Sequence, residues 1–246
     1  MNFGVSSMVL PLKKVALLRP GASLLEADIN KWHYSNIFNP DKVQGIYNNF
    51  VNLLTDEDVE IFWIEENTNI ADAIFTYDAS IMTKSGAILM SPGKELRKGE
   101  QNLHRNFYKH NNIPIIGEIT GNATAEAGDT LWLDDNSLIV GKGFRTNQEG
   151  VNQIEEIMKP LKVDVFQFDI PVYMGTEACL HLMSLISLVD HRKAFVYTPL
   201  LPVSLFKLLE EKGFTLINAP EDEFLSSNTL STNILTVSPG QCIMIN

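Results

Sequence analysis

One short phrase recurs five times along this chain. Val15–Gly21 reads VALLRPG, Ala87–Gly93 AILMSPG, Ser137–Gly143 SLIVGKG, Ala194–Leu200 AFVYTPL and Ile234–Gly240 ILTVSPG. Each is an apolar run that stops at Pro or Gly. Pro fixes φ and removes a backbone donor, and Gly permits the positive φ that a sharp turn often needs. Each phrase therefore predicts a short strand delivered into a turn.

The stretch after each phrase recurs as well. After the first come Val43, Ile46, Tyr47, Phe50 and Leu54 at helical spacing, then an extended run over 59–65. After the second come a helix around Leu103 and Phe107 and an extended run over 113–119. After the third, Val151, Ile154, Ile157, Met158 and Leu161 share a helical face, and 163–169 is extended. After the fourth come Leu205, Phe206, Leu208 and Leu209, a C-terminal cap at Gly213, and an extended run over 214–218. The unit is strand, turn, helix, strand.

The phrases begin at residues 15, 87, 137, 194 and 234, so successive spacings are 72, 50, 57 and 40 residues. That variation is too wide for a solenoid of equal repeats and suits a ring of similar modules with different insertions. The expected fold is α/β, a five-bladed propeller of pseudo-fivefold symmetry formed by a single domain over 1–246; an ordinary alternating α/β sheet fits the periodicity too. Only 13 residues run from Ile234 to Asn246, so the fifth module is expected to be incomplete and the chain truncated at its C-terminus.

Composition narrows the function. A formal net charge of −11 opposes binding to a phosphate backbone, which needs clustered Lys and Arg. No apolar run reaches the roughly 18 residues that span a bilayer, and Lys13 and Lys14 come after rather than before the first apolar stretch, unlike a secretory signal. A cytoplasmic location is the expectation. Cys179 and Cys242 are the only cysteines, too few for a disulfide framework and without the paired spacing of a zinc site.

The candidate chemistry lies in the segments joining the modules. ADAIFTYDAS carries Asp72 and Asp78, TAEAGDTLWLDD carries Glu126 and Asp129, and GTEACLHLMSLISLVD carries His181. Equivalent places in a ring converge at one end of its axis, so Asp72, Asp78, Glu126, Asp129 and His181 are expected to line one cavity. Such a group suits a guanidinium ion, whose planar N–H fork matches carboxylates in its plane. Taken singly, Asp129 reads equally well as a turn residue, Asp72 as a cap or loop residue, and His181 as a core histidine on an apolar helical stretch with Leu182, Leu185 and Ile186.

These segments, together with the SIMTKSGAILMSPGKELRKGE and NSLIVGKGFRTNQEG runs that continue the first two, resemble in the same order the motif blocks of the dimethylargininases, within the amidinotransferase and arginine deiminase superfamily of guanidine-modifying enzymes. The resemblance covers nearly the whole chain. It implies the pentein fold, which is the five-bladed α/β propeller, and a reaction in which a Cys thiolate attacks the guanidinium carbon. It implies that Asp72 and Asp78 grip the guanidinium, that Glu126 is the acidic partner, that His181 is the general acid and base, and that Arg97 and Arg145 recognise the substrate, Asp129 standing with the binding acids. It implies a small guanidino substrate such as arginine or a methylated arginine, no cofactor or metal, and no nucleic-acid or membrane partner, and it allows a homodimer. Amidino transfer, or a non-catalytic propeller that binds a partner, is the alternative.

The sequence departs from the family pattern at Ala127, where a first Gly of an E-G-G-D turn is common, at Met183 and at Tyr77. The largest departure is the nucleophile. The family carries it near the C-terminus in a Gly-containing segment that this sequence does not contain. Cys242, between Gln241 and Ile243, reads as a buried apolar residue, and Cys179 lies two residues before His181. The chain is therefore expected to hold the substrate site without the thiolate.

Overall fold

The computed structural model describes residues 3–65, 69–176 and 180–245. In chain order the elements are β1 (Lys14–Leu17), α1 (Ala22–Leu25), α2 (Ile29–Trp32), α3 (Pro40–Asp56), β2 (Glu60–Trp63), β3 (Ser80–Thr83), β4 (Gly86–Leu89), α4 (Glu100–His110), β5 (Ile115–Glu118), β6 (Thr130–Asp134), β7 (Ser137–Lys142), α5 (Gln148–Met158), β8 (Asp164–Asp169), β9 (Ile186–Asp190), β10 (Lys193–Val196), α6 (Val203–Glu211), β11 (Thr215–Asn218), α7 (Glu221–Ser226), β12 (Leu235–Ser238) and β13 (Gln241–Ile243). The fold is α/β, and no helix among the described residues is long and apolar enough to cross a membrane.

Among the described residues the strands form five small sheets, β1-β2, β3-β4-β5, β6-β7-β8, β9-β10-β11 and β12-β13. In each three-stranded sheet an antiparallel hairpin leads into a helix and then a strand parallel to the second hairpin strand. The first sheet is a parallel pair and the last an antiparallel hairpin. The repeated unit is thus hairpin, helix, strand. The leading strands β3, β6 and β9 fall in what sequence alone presents as connecting segments.

The fifth phrase also needs correction. The phrases at 87, 137 and 194 fall on second hairpin strands β4, β7 and β10, whereas ILTVSPG falls on β12, a leading strand. Its Pro and Gly make a hairpin turn rather than an exit to a helix. Gly240 takes φ +80° there, a conformation that costs a residue with a Cβ.

Local signals build the helices. Asn39 Oδ1 accepts from Lys42 N at 2.9 Å and Pro40 opens α3, while Asn147 Oδ1 caps α5 by accepting from Gly150 N at 2.8 Å. Gly213 comes just after α6 with φ +73°, and Phe214 N donates to Leu209 O at 2.9 Å, which closes the helix end.

Apolar faces join each sheet to its neighbour. Leu18, Ile64, Ala73 and Leu103 pack the first unit on the second; Ile81, Ile88 and Met90 meet Trp132, Leu138 and Ile154 of the third; Leu131 and Ile139 meet Ile186, Leu188 and Leu205 of the fourth. Thr236 Oγ1 donates to Leu188 O at 2.7 Å, tying the fifth sheet to the fourth. Val237 and Leu235 pack with Leu17, Leu54 and Val59, tying it to the first. Ile88, Leu138 and Ile139 are fully buried, and each contributes roughly 1.5–3 kcal/mol relative to exposure.

Candidate active site

A single turn of 3-10 helix precedes each of four leading strands: Ala71–Ile74 before β3, Ala127–Asp129 before β6, Leu182–Ser184 before β9 and Leu230–Thr232 before β12. The first three turns, or the residues beside them, supply Asp72, Asp78, Glu126, Asp129 and His181. His181 stands at the N-terminus of its turn, not on a helix. The Leu182, Leu185 and Ile186 spacing that mimics a helical face belongs to the 3-10 turn and the buried start of β9.

These turns bring three groups together. One oxygen each from Asp78 and Glu126 and a ring nitrogen of His181 all lie within 4.8 Å of one another. His181 Nε2 is 2.8 Å from Glu126 Oε2. Asp78 Oδ1 accepts from Gly128 N at 2.9 Å, and Ala127 N donates to Asp78 O at 2.9 Å, so the second segment is stitched to the first. A Cβ on Gly128 would stand 2.6 Å from Asp78 Oδ1 and 2.8 Å from His181 Nδ1. Only glycine permits that approach. Ala127, the departure next to it, sits in the 3-10 turn with its methyl buried.

Glu126 is fully buried and its acceptors are filled. Oε1 accepts from Gly93 N at 3.0 Å, Lys94 N at 3.1 Å and Arg145 at 3.4 Å, and Oε2 from His181. Burial alone would raise its carboxyl, but the His181 hydrogen bond and the charges of His181, Arg145 and Arg97 outweigh it and hold it down at about 2. Glu126 is a permanent anion at neutral pH. Arg145 thereby reaches the cluster from the loop after β7.

Asp129 lies behind His181, against the backbone that follows it. Its side chain is fully buried, and it accepts from Thr146 Oγ1 at 2.7 Å and from Leu182 N at 3.0 Å. Burial pushes its carboxyl up to about 6 against those hydrogen bonds. It anchors the residue next after His181.

Arg97 is likewise sequestered. Only 3% exposed, it donates from Nε and Nη2 to the two oxygens of Glu100 at 2.7 and 2.8 Å and from Nη1 to Asp78 Oδ2 at 2.6 Å. Burial would lower the guanidinium, but Asp78 and Glu100 hold it up, so it stays charged. Burial pushes Glu100 up to about 7 even against Arg97. The charge-rich run that reads as a solvated surface segment contains a buried ion pair.

Asp72 completes the group. Buried in its turn, it accepts from Tyr34 OH at 2.5 Å and from Lys94 Nζ at 2.6 Å. Sequence reasoning passed over Tyr34, Lys94, Glu100 and Thr146. The signal for Lys94 and Glu100 was their place in the same PGKELRKGE run as Arg97; nothing local marks Tyr34 or Thr146.

Cys242 stands away from this cluster. Cys242 Sγ lies 3.4 Å from Thr236 Oγ1 and 3.7 Å from Val189 O, at the far end of β9 from His181. Cys179 lies outside the described residues. A cavity of about 260 Å³ is lined by Phe144 and Leu180, the sequence neighbours of Arg145 and His181, with Lys142, Asp169, Val172 and Tyr173, and by none of Asp72, Asp78, Glu126, Asp129 and His181.

Comparison with known proteins bears on this geometry. The sequence model of the arginine deiminase family matches residues 68–204. An N(G),N(G)-dimethylarginine dimethylaminohydrolase of Pseudomonas aeruginosa is 26% identical over 215 residues, covering 84% of this chain and 77% of the relative. Among solved structures, a cysteine-to-serine mutant of DDAH from Pseudomonas aeruginosa complexed with citrulline has a TM-score of 0.76 at 21% identity, covering 96% of this chain and 84% of that one. The N-terminal domain of a cyanobacterial arginine dihydrolase bound to substrate has a TM-score of 0.76 at 17% identity, covering 91% and 80%. At those identities the structural likeness establishes a shared fold.

Proposed function

Since the chain belongs to the arginine deiminase family, we propose that it carries the substrate site of an enzyme hydrolysing guanidino compounds, arginine or a methylated arginine, to citrulline and ammonia or an alkylamine. The observation that carries this reading is the convergence of Asp78, Glu126 and His181 within 4.8 Å. We read the five sheets, each packed on the next, as modules of a five-bladed α/β propeller with the site at one end of its axis. The domain spans 1–246.

In this reading Asp72 and Asp78 accept N–H groups of the guanidinium, and charge-assisted acceptors of this kind are worth roughly 1.5–3 kcal/mol each. A cysteine thiolate attacks the guanidinium carbon and forms a C–S bond. His181, oriented by Glu126, gives its proton to the departing amine as the C–N bond breaks. It then takes a proton from water, which attacks the thiouronium carbon; loss of the C–S bond releases the ureido product and restores the thiolate. Arg145 faces the substrate. Arg97 and Asp129 act as positioning residues, one holding Asp78 and the other the backbone after His181. The hydrolase name of the Pseudomonas relative favours water over an amine as the second nucleophile.

In this reading the thiolate is neither Cys179 nor Cys242. The test is release of ammonia, methylamine or dimethylamine. The 246-residue chain is expected to release none, and a form extended through a C-terminal cysteine segment is expected to turn over. Turnover by this chain, abolished by Cys179→Ser or Cys242→Ser alone, would place the nucleophile within it.

A further inference from the structure

We infer that Lys94 is an internal cation of the site, displaced by the ligand, and that it selects guanidino compounds carrying their own anionic group. The inference rests on the guanidine reading above and specifies the substrate class further.

Both oxygens of Asp72 already hold a donor: Lys94 Nζ is 2.6 Å from Oδ2 and Tyr34 OH is 2.5 Å from Oδ1. A guanidinium that is to pair with Asp72 through two N–H groups competes with the donors already there. The two donors differ in freedom. Tyr34 packs edge-on against Phe38, whereas Lys94 ends a flexible four-carbon stem whose side chain is 18% exposed, against 4% for Arg97. The Lys94 backbone stays fixed meanwhile, because its N–H donates to Glu126 Oε1 at 3.1 Å. Its ammonium also lies 5.2 Å from the centre of the Trp32 ring, a second contact that holds it over Asp72 without locking it.

Displacement has an electrostatic consequence. Arg97 and Arg145 already supply fixed positive charge beside Asp78 and Glu126. A guanidinium arriving alone would add a cation and strand the Lys94 ammonium in partly desolvated surroundings near others of its sign. A ligand that also brings a carboxylate gives that ammonium a new partner. Discrimination then comes from what the wrong ligand leaves unpaired.

Calorimetric titration of the 246-residue chain with L-arginine and with agmatine, its decarboxylated counterpart, tests this. The native chain is expected to bind arginine at least about tenfold more tightly than agmatine, Lys94→Met to tighten agmatine by about tenfold and shrink that preference, and Lys94→Arg to retain it. If Lys94→Met does not fold, Lys94→Gln carries the same comparison. Agmatine affinity unchanged or weakened in the neutral variant overturns the inference while leaving the site reading intact. Binding of neither ligand by any of the proteins overturns the site reading itself, and the inference with it.

Discussion

His181 Nε2 and Glu126 Oε2 lie 2.8 Å apart although 55 residues separate them in sequence, and the carboxylate is fully buried. The pair is made by two equivalent 3-10 turns facing each other at the starts of successive modules. A buried carboxylate so placed fixes the orientation of the imidazole.

Glu126 therefore has a pH signature. Its carboxyl sits near 2 in the folded chain against an ordinary value of 4.5, so the unfolded chain binds its proton first as pH falls. The stability this contributes is present above pH 4.5 and disappears as pH drops towards 2, in total on the order of 3 kcal/mol. Denaturant titrations of Glu126→Gln should show a flatter acid limb than the native chain. Equal limbs would mean that the pair is not formed.

Asp129 predicts the opposite sign in a neighbouring window. Burial holds its proton until about 6, whereas the unfolded carboxyl releases it near 3.8. Its contribution is complete below 3.8 and is lost as pH rises through 6, again on the order of 3 kcal/mol. In Asp129→Asn the decline in unfolding free energy from about pH 4 to 6 should be reduced. A decline as steep as that of the native chain would locate the titrating group elsewhere.

Arg97 bridges Glu100 and Asp78 in a space that excludes water. Arg97→Met should cost about 3–5 kcal/mol, the range for breaking a buried ion pair by removing one partner. Adding Glu100→Met should recover much of that loss, because Arg97 makes two of its hydrogen bonds to Glu100. Chemical denaturation of the two variants measures both effects. A loss below about 1 kcal/mol for Arg97→Met would show that the guanidinium is solvated after all.

The repeat was legible because Pro and Gly end the second strand of each full hairpin, as at Pro92 and Gly93 or Pro199. The leading strands were not. Thr130, Leu131, Trp132 and Leu133 are all buried, so β6 lacks the alternation that marks a half-exposed strand, and it reads as part of an acidic connector. The acids and His181 could be found because they interrupt the apolar pattern of the joining segments, which resemble the family's motif blocks in the same order. Lys94, Arg97 and Glu100 share a run whose charges resemble a solvated face, and their burial depends on partners at Asp72, Asp78 and Glu126 that no local pattern encodes. Tyr34 reaches Asp72 across 38 residues, beyond any helical or strand periodicity.

Whether Asp78 and its neighbours form a guanidinium site is decided by titrating L-arginine into the 246-residue chain and its Asp78→Ala variant. Saturable binding by the native chain is expected, weakened at least about tenfold in Asp78→Ala, since one charge-assisted acceptor worth roughly 1.5–3 kcal/mol is removed. Arginine binding of equal strength in both proteins, or in neither, would contradict it.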